Sequence, residues 1–157
     1  MAEYVFEREV EIPRPRGEVF EFFSKAENLE RITPSSVGFN MITPLPIEMR
    51  VGTLIDYTIS LYGIPVKWRT EITAWDPPNE FEDIEIWGPY KQWIHRHTFE
   101  ATGRGTTLMK DVVRYRLPLE PFGDVAQWIV GREIEGIFNY RQEVISEIFK
   151  EAGPADS

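Results

Sequence analysis

The two histidines of the chain lie two positions apart in the segment KQWIHRHTFE, which covers residues 91–100. Residues two apart in a β-strand point to the same face, so His95 and His97 are expected to project together. The odd positions of this segment also carry Trp93 and Phe99, whereas the even positions are mostly polar. We therefore predict that both imidazoles face the protein interior.

A carboxylate is expected close to these imidazoles. Residues 106–117 form a second strand pattern, with Asp111 on the less charged, odd-numbered face, and the turn TGRG at 102–105 joins the two strands into a hairpin. One hairpin register places His95 opposite Asp111, and the other places His97 there. Both registers stay open, because the sequence does not fix the type of loop.

Three interpretations fit the group formed by His95, His97 and Asp111. In the first it is a buried polar network, in which the carboxylate accepts from the imidazoles. In the second it recognises a ligand or moves protons, as a histidine beside a carboxylate can do near neutral pH. In the third it binds a metal ion. A dedicated metal site is not expected, because the chain has no third histidine.

The preceding strand pattern, at 81–87, adds two acidic residues whose direction the sequence leaves open. Asp83 and Glu85 share a face with Phe81 and Trp87, while the opposite face carries two isoleucines. If the odd face is the inner one, Asp83 and Glu85 join the same polar group. A bulge near Gly88 would switch the faces.

Composition excludes several other kinds of chemistry. The chain has 157 residues and a net charge of −9, so phosphate backbones and anionic lipids repel it, and nucleic-acid binding is not expected. It has no cysteine, no G-x-S-x-G motif and no phosphate-binding glycine loop. No apolar run approaches the length of about 20 residues that spans a bilayer, so we expect no integral membrane association and a cytoplasmic location.

Hydrophobic periodicity and turn residues give the order strand, two short helices, six strands and one long helix. The length suits a single domain over 1–152, followed by a disordered tail at 153–157. Predicted strands cover 4–12, 37–42, 53–61, 65–75, 81–87, 91–101 and 106–117, and predicted helices cover 16–25, 26–31 and 124–151. This order fits a curved antiparallel sheet wrapped around the last helix, or an open α+β sandwich.

Four stretches carry a resemblance to a known superfamily. They are RITPSSVGF at 31–39, WRTEITAWDPPNEFED at 68–83, GPYKQWIHRHTFEATGRGTTLMKDVVRYRLP at 88–118 and IFNYRQ at 137–142. With the element order, they resemble the START/Bet v 1-like (SRPBCC) superfamily, in particular its bacterial polyketide cyclase/dehydrase-like members. The resemblance implies an α+β helix-grip fold with seven strands, and a hydrophobic cavity between the sheet and the C-terminal helix.

Further residues are candidates for the wall of the implied cavity, although each also fits an ordinary core position. They are Tyr57, Trp68, Trp93, Met109 and Tyr115 from the strands, and Ile134 and Phe138 from the last helix. Arg141 follows Phe138 by three residues, so it is expected near the buried side of that helix. It either anchors an acidic ligand group or extends to the edge of the fold.

Three functions are compatible with the sequence. The favoured hypothesis is a binding protein for a small hydrophobic or aromatic molecule (polyketide-, lipid- or quinone-like), without a cofactor and as a monomer or homodimer. The second is an aromatase/cyclase or dehydratase, in which His95, His97 and Asp111 provide acid–base catalysis. A structural or interaction protein is the third, and an exposed apolar patch without a pocket would favour it.

Overall fold

The structure is a computed structural model that describes residues 2–61, 63–118 and 123–152. Its elements follow the predicted order. They are β1 Tyr4–Ile12, α1 Arg16–Phe23, α2 Asn28–Arg31, a 3₁₀ turn Ser35–Val37, β2 Asn40–Met41, β3 Leu54–Leu61, β4 Ile64–Asp76, β5 Glu80–Trp87, β6 Gln92–Ala101, β7 Thr107–Arg116 and α3 Gly123–Ala152. The predicted tail at 153–157 lies outside the described residues.

The seven strands form one antiparallel sheet in the order β1-β7-β6-β5-β4-β3-β2. Two register shifts interrupt the pairing of β4 with β5, between Arg69 and Thr70 and between Ile72 and Ala74. Such bulges bend a sheet and increase its twist, which lets it curve around a helix. The long helix α3 packs against this curved sheet, most closely along β1. The helix-grip prediction is therefore confirmed.

The second strand is shorter than predicted. Residues 37–42 were expected to be extended, but Ser35–Val37 form a 3₁₀ turn and only Asn40–Met41 pair with β3. Gly38 explains the difference, since its φ of 64° ends the turn in the left-handed region that favours glycine. A Cβ at this position would lie 2.8 Å from the Cβ of Ser60, so the close approach to β3 also requires glycine.

A polar layer divides the buried apolar residues along three neighbouring elements. On β7 the order is Met109, Asp111 and Val113, and these three residues are 2%, 3% and 0% exposed. Met109 belongs to an apolar cluster with α1 and the C-terminal part of α3, whereas Val113 belongs to another cluster with Ile134 and Phe138. The same sequence of apolar, polar and apolar side chains recurs on β6 and α3. These polar residues, together with Asp83 on β5, which contacts His97, are called the polar cluster: Asp83, His95, His97, Asp111 and Arg141.

Candidate functional site

The β6–β7 hairpin fixes which of the two registers occurs. His97 lies directly opposite Asp111 in the backbone pairing, and His95 lies opposite Val113. The loop has two glycines with positive φ, Gly103 at 88° and Gly105 at 78°. Because either glycine accepts that conformation, the turn sequence alone could not choose the register.

The shortest side-chain contact of the hairpin nevertheless runs diagonally, to the other histidine. His95 Nε2 lies 2.7 Å from Asp111 Oδ1, whereas His97 Nδ1 lies 3.3 Å from the same oxygen. The second contact has poor hydrogen-bond alignment, and His97 Nδ1 has no hydrogen-bond partner among the described residues. Asp111 therefore contacts both imidazoles but forms a good hydrogen bond with His95 alone.

The inner face of β5 is the odd-numbered one, so Asp83 joins the polar cluster. Phe81 pairs with His97 in the register, and its ring stacks on that imidazole with 4.0 Å between centroids. Asp83 Oδ2 lies 2.8 Å from His97 Nε2. Sequence reasoning did not include Phe81 among the site residues, although it shares the alternating face with Asp83.

The two imidazoles differ in their protonation behaviour. Burial opposes the charged form of His97, but its contacts with Asp111 and Asp83 outweigh burial and raise the His97 pKa above its ordinary value. For His95, burial and then the charge of His97 lower the pKa, and the nearby carboxylates only partly compensate. The pair is thus asymmetric, because its surroundings favour the cationic form of His97 and the neutral form of His95, and the two rings stack with 3.7 Å between their centroids.

Both carboxylates of the cluster are held in the charged form. Burial favours a neutral Asp111, but the charge of Arg141 and the contacts with the two histidines keep its pKa well below the usual range. Burial likewise disfavours ionised Asp83, and the hydrogen bond with His97 prevails and lowers its pKa. A neutral His95 must donate its Nε2–H to the ionised Asp111, which leaves the lone pair on its Nδ1.

Glu85 lies on the same strand as Asp83 but serves a different part of the structure. Its Oε1 accepts a hydrogen bond from the Tyr90 N–H at 3.0 Å, so it fastens the turn that follows β5. Burial raises the pKa of Glu85 to about 7. Thus Glu85 is close to the interior but forms no hydrogen bond with the histidines.

Several predicted wall residues form an aromatic group beside the polar cluster. Trp68 is 5% exposed, and it contacts Tyr57, Tyr90 and Trp93 with centroid distances of 5.8, 5.7 and 5.5 Å. Its Nε1 is buried and has no hydrogen-bond partner within the described part of the chain. Tyr90 was missing from the predicted site, because a turn position gives no periodic signal.

The other predicted wall residues are deeply buried. Tyr115 packs with Ile134 and Phe138 in one apolar cluster, and the Phe138 ring lies 5.7 Å from that of His95. Met109 instead packs with Phe99 in the cluster near α1. Phe138 and Tyr115 thus border the polar cluster on one side, and Met109 borders it on the other.

The imidazole geometry disfavours a shared metal ion. Asp83, His95 and His97 offer ligand atoms within 4.8 Å of one another. However, the two rings are stacked with only 25° between their planes. An ion at a distance of about 2.0–2.1 Å from each nitrogen would have to lie near both ring planes, which stacked rings do not allow. The arrangement is better suited to a hydrogen-bonded network.

None of the described helices is long and apolar enough to span a membrane.

Comparisons with known proteins identify the fold. No protein-family model and no curated sequence matches the chain. Among solved structures, the Zhui aromatase/cyclase from Streptomyces sp. R1128 has a TM-score of 0.77 at 11% identity, over 98% of each chain. TTHA0849 from Thermus thermophilus has a TM-score of 0.75 at 17% identity, over 96% of this chain and 100% of that one. A START superfamily protein from Mycobacterium smegmatis has a TM-score of 0.68 at 12% identity, over 92% of this chain and 98% of that one.

Proposed function

We propose that this chain, which has the START/Bet v 1-like fold, binds a small hydrophobic or aromatic molecule between the sheet and α3. In this proposal residues 1–152 act as one domain, in the cytoplasm, as a monomer or homodimer. The aromatic group around Trp68 contacts the apolar body of the ligand, and the polar cluster contacts its polar end.

Buried donors without acceptors are the observation that carries the proposal. His97 Nδ1 and Trp68 Nε1 are both buried, and neither has a hydrogen-bond partner among the described residues. A buried polar group left without a partner costs about 1–3 kcal/mol. A ligand that brings oxygen acceptors into this interior would recover that free energy.

We expect the protein to bind a ketone more tightly than the corresponding hydrocarbon. The neutral dye N-phenyl-1-naphthylamine should bind saturably, and 2-acetylnaphthalene should displace it at a concentration about tenfold lower than 2-ethylnaphthalene, because only the ketone offers an acceptor. Dye fluorescence measures both displacements.

In Trp68→Phe, which removes the unpartnered Nε1–H but keeps an aromatic ring, the preference for the ketone should shrink, whereas the control Arg132→Gln, on the exposed side of α3, should retain it. If the dye shows no saturable binding to the wild-type protein, the binding proposal is wrong.

The unlike protonation of the two imidazoles favours a second candidate function, a cyclase or dehydratase. The lone pair of neutral His95 would remove a proton alpha to a ketone, and cationic His97 would give its proton to the departing hydroxyl, which leaves as water. One solved neighbour is itself described as an aromatase/cyclase.

A linear poly-β-ketone substrate distinguishes catalysis from binding alone. For an enzyme, His95→Gln should reduce turnover by about 10²–10⁴-fold, the usual contribution of a general acid or base. Turnover measured by product chromatography that is equal in the wild type and His95→Gln would exclude this mechanism, whatever the binding results.

A further inference from the structure

Arg141 lies on the buried stripe of α3. Ile134, Phe138, Ile145 and Phe149 are buried at helical spacing on the same side, and Arg141 is itself only 8% exposed. Its guanidinium lies near the rings of Phe23 and Phe138, at 5.6 and 5.2 Å from their centroids. The arginine therefore does not extend to the edge of the fold but keeps its charge inside.

Few polar contacts compensate this buried charge. Arg141 Nη2 is 3.9 Å from Asp111 Oδ1, which is too far for a hydrogen bond. Its Nε is buried and has no hydrogen-bond partner in the described ranges. A guanidinium has five N–H donors in a planar fork that matches a carboxylate. Among the described residues, at least the Nε–H of Arg141 is therefore left for an acceptor from outside the chain.

Arg8, a second arginine near Asp111, has hydrogen-bond acceptors on α3. Arg8 lies opposite Asp111 in the pairing of β1 with β7, and its side chain also reaches α3. There it donates to Gln142 Oε1 at 2.8 Å and to Asn139 Oδ1 at 2.9 Å. Two amide acceptors thus serve the more peripheral arginine, whereas the residues described in the structure offer the Nε of the buried Arg141 none.

We infer that the ligand is a hydrophobic acid whose single oxyanion is bound by the guanidinium of Arg141. The inference rests on the binding function proposed above and adds the chemical class of the ligand. A bidentate pair between the guanidinium and a carboxylate would satisfy Nε and one terminal nitrogen together. Phe23 and Phe138 would hold the guanidinium plane in position.

The charges that surround the site are compatible with such a ligand. Asp83 on β5 and Asp111 on β7 have lowered pKa values and favour negative charges, while Arg141 on α3 and a protonated His97 on β6, whose pKa is raised, would supply two positive charges. Arg8 on β1 is occupied by the α3 amides. A bound anion would leave one excess negative charge in the interior, and neutral His95 can take up a proton to compensate it.

A matched pair of dyes tests the inference. The dye 8-anilinonaphthalene-1-sulfonate is N-phenyl-1-naphthylamine with an added sulfonate, and fluorescence reports the binding of both. We expect the wild-type protein to bind the sulfonate at least about tenfold more tightly than the neutral dye. Arg141→Gln should remove this preference and change the affinity for the neutral dye by less than about twofold, and Arg141→Lys should show an intermediate preference. Arg132→Gln should behave as the wild type.

Retained binding of the neutral dye shows that each variant is folded, so a selective loss of sulfonate binding cannot come from unfolding. If Arg141→Gln does not fold, Arg141→Lys remains as the test, and it should still show the intermediate preference. Equal wild-type affinities for the two dyes, or a sulfonate preference that survives in Arg141→Gln, would overturn the inference. Absence of binding by the neutral dye as well would instead contradict the binding function itself.

Discussion

Asp111→Asn is expected to lower the free energy of unfolding by about 3–5 kcal/mol at pH 7, the usual cost of leaving buried charges without their partner. The expected loss is large because Asp111 is 3% exposed and its Oδ1 approaches two imidazoles and a guanidinium. Asparagine keeps the shape and one acceptor oxygen, so the change removes mainly the negative charge. Urea denaturation followed by circular dichroism gives the free energies.

The matched control is Asp56→Asn. Asp56 also forms an ion pair, with Arg69 Nε at 2.7 Å, but its side chain is 27% exposed. Water and salt screen such a pair, so Asp56→Asn should lower the free energy of unfolding much less than Asp111→Asn does. If Asp111→Asn lowers the free energy of unfolding no more than Asp56→Asn does, then Asp111 does not hold the charges of the polar cluster together.

The second large effect is a stability loss in His97→Gln that depends on pH. Because the pKa of His97 is raised on folding, the stabilisation from its charge is complete below its unfolded pKa near 6.5 and is lost as the pH rises through the raised pKa. We therefore expect a loss of about 3–5 kcal/mol at pH 6, where a charge between Asp83 and Asp111 is removed, and a smaller loss at pH 9. Denaturant titrations at several pH values measure this trend.

His95→Gln provides the comparison, because its trend should have the opposite sign. The folded-state pKa of His95 is lowered, so the native state resists protonation and loses stability relative to the unfolded state as the pH falls below about 6.5. The variant should therefore approach the wild type in stability as the pH decreases. Parallel trends in the two variants would contradict the assignment of a cationic His97 and a neutral His95.

The alternation of apolar and polar residues was sufficient to predict which face of β6, the strand with both histidines, and of its neighbour β7 points into the interior. His95, His97 and Asp111 could be grouped before the structure was known, because strands joined by a short turn must lie side by side. The same rule could not decide which histidine bonds to Asp111. The hydrogen bond is diagonal, and side-chain reach rather than backbone register determines it.

The strand from Glu80 to Trp87 shows where alternation fails. Both of its faces mix apolar and acidic residues, so the pattern favoured neither direction for Asp83. A register shift with β4 follows directly after Glu85, before Trp87, and Glu85 turns to the Tyr90 N–H instead of the histidines. Long-range packing against Phe20 and Phe99 directs Phe81 inward, and Asp83 follows because it lies two residues further on.

Arg141 illustrates a residue whose position was predictable but whose environment was not. Helical spacing from Phe138 placed it near the buried side. Whether its charge would find acceptors depended on residues from β1, β7 and α1, which no local pattern connects. Only the folded arrangement shows that amides of α3 serve Arg8, while the Nε of Arg141 has no hydrogen-bond partner among the described residues.

The central claim is that the two imidazoles contact the polar end of a bound ligand. Because the chain has two histidines, ¹⁵N NMR of the imidazoles resolves their protonation states with one variant for assignment. Before ligand addition we predict, at pH 7, one cationic imidazole and one neutral imidazole protonated on Nε2. Titration with 2-acetylnaphthalene should then shift the Nδ1 signal of His97 saturably, because this N–H has no other hydrogen-bond partner among the described residues. Saturable binding of this ketone without a change at either imidazole would contradict the account.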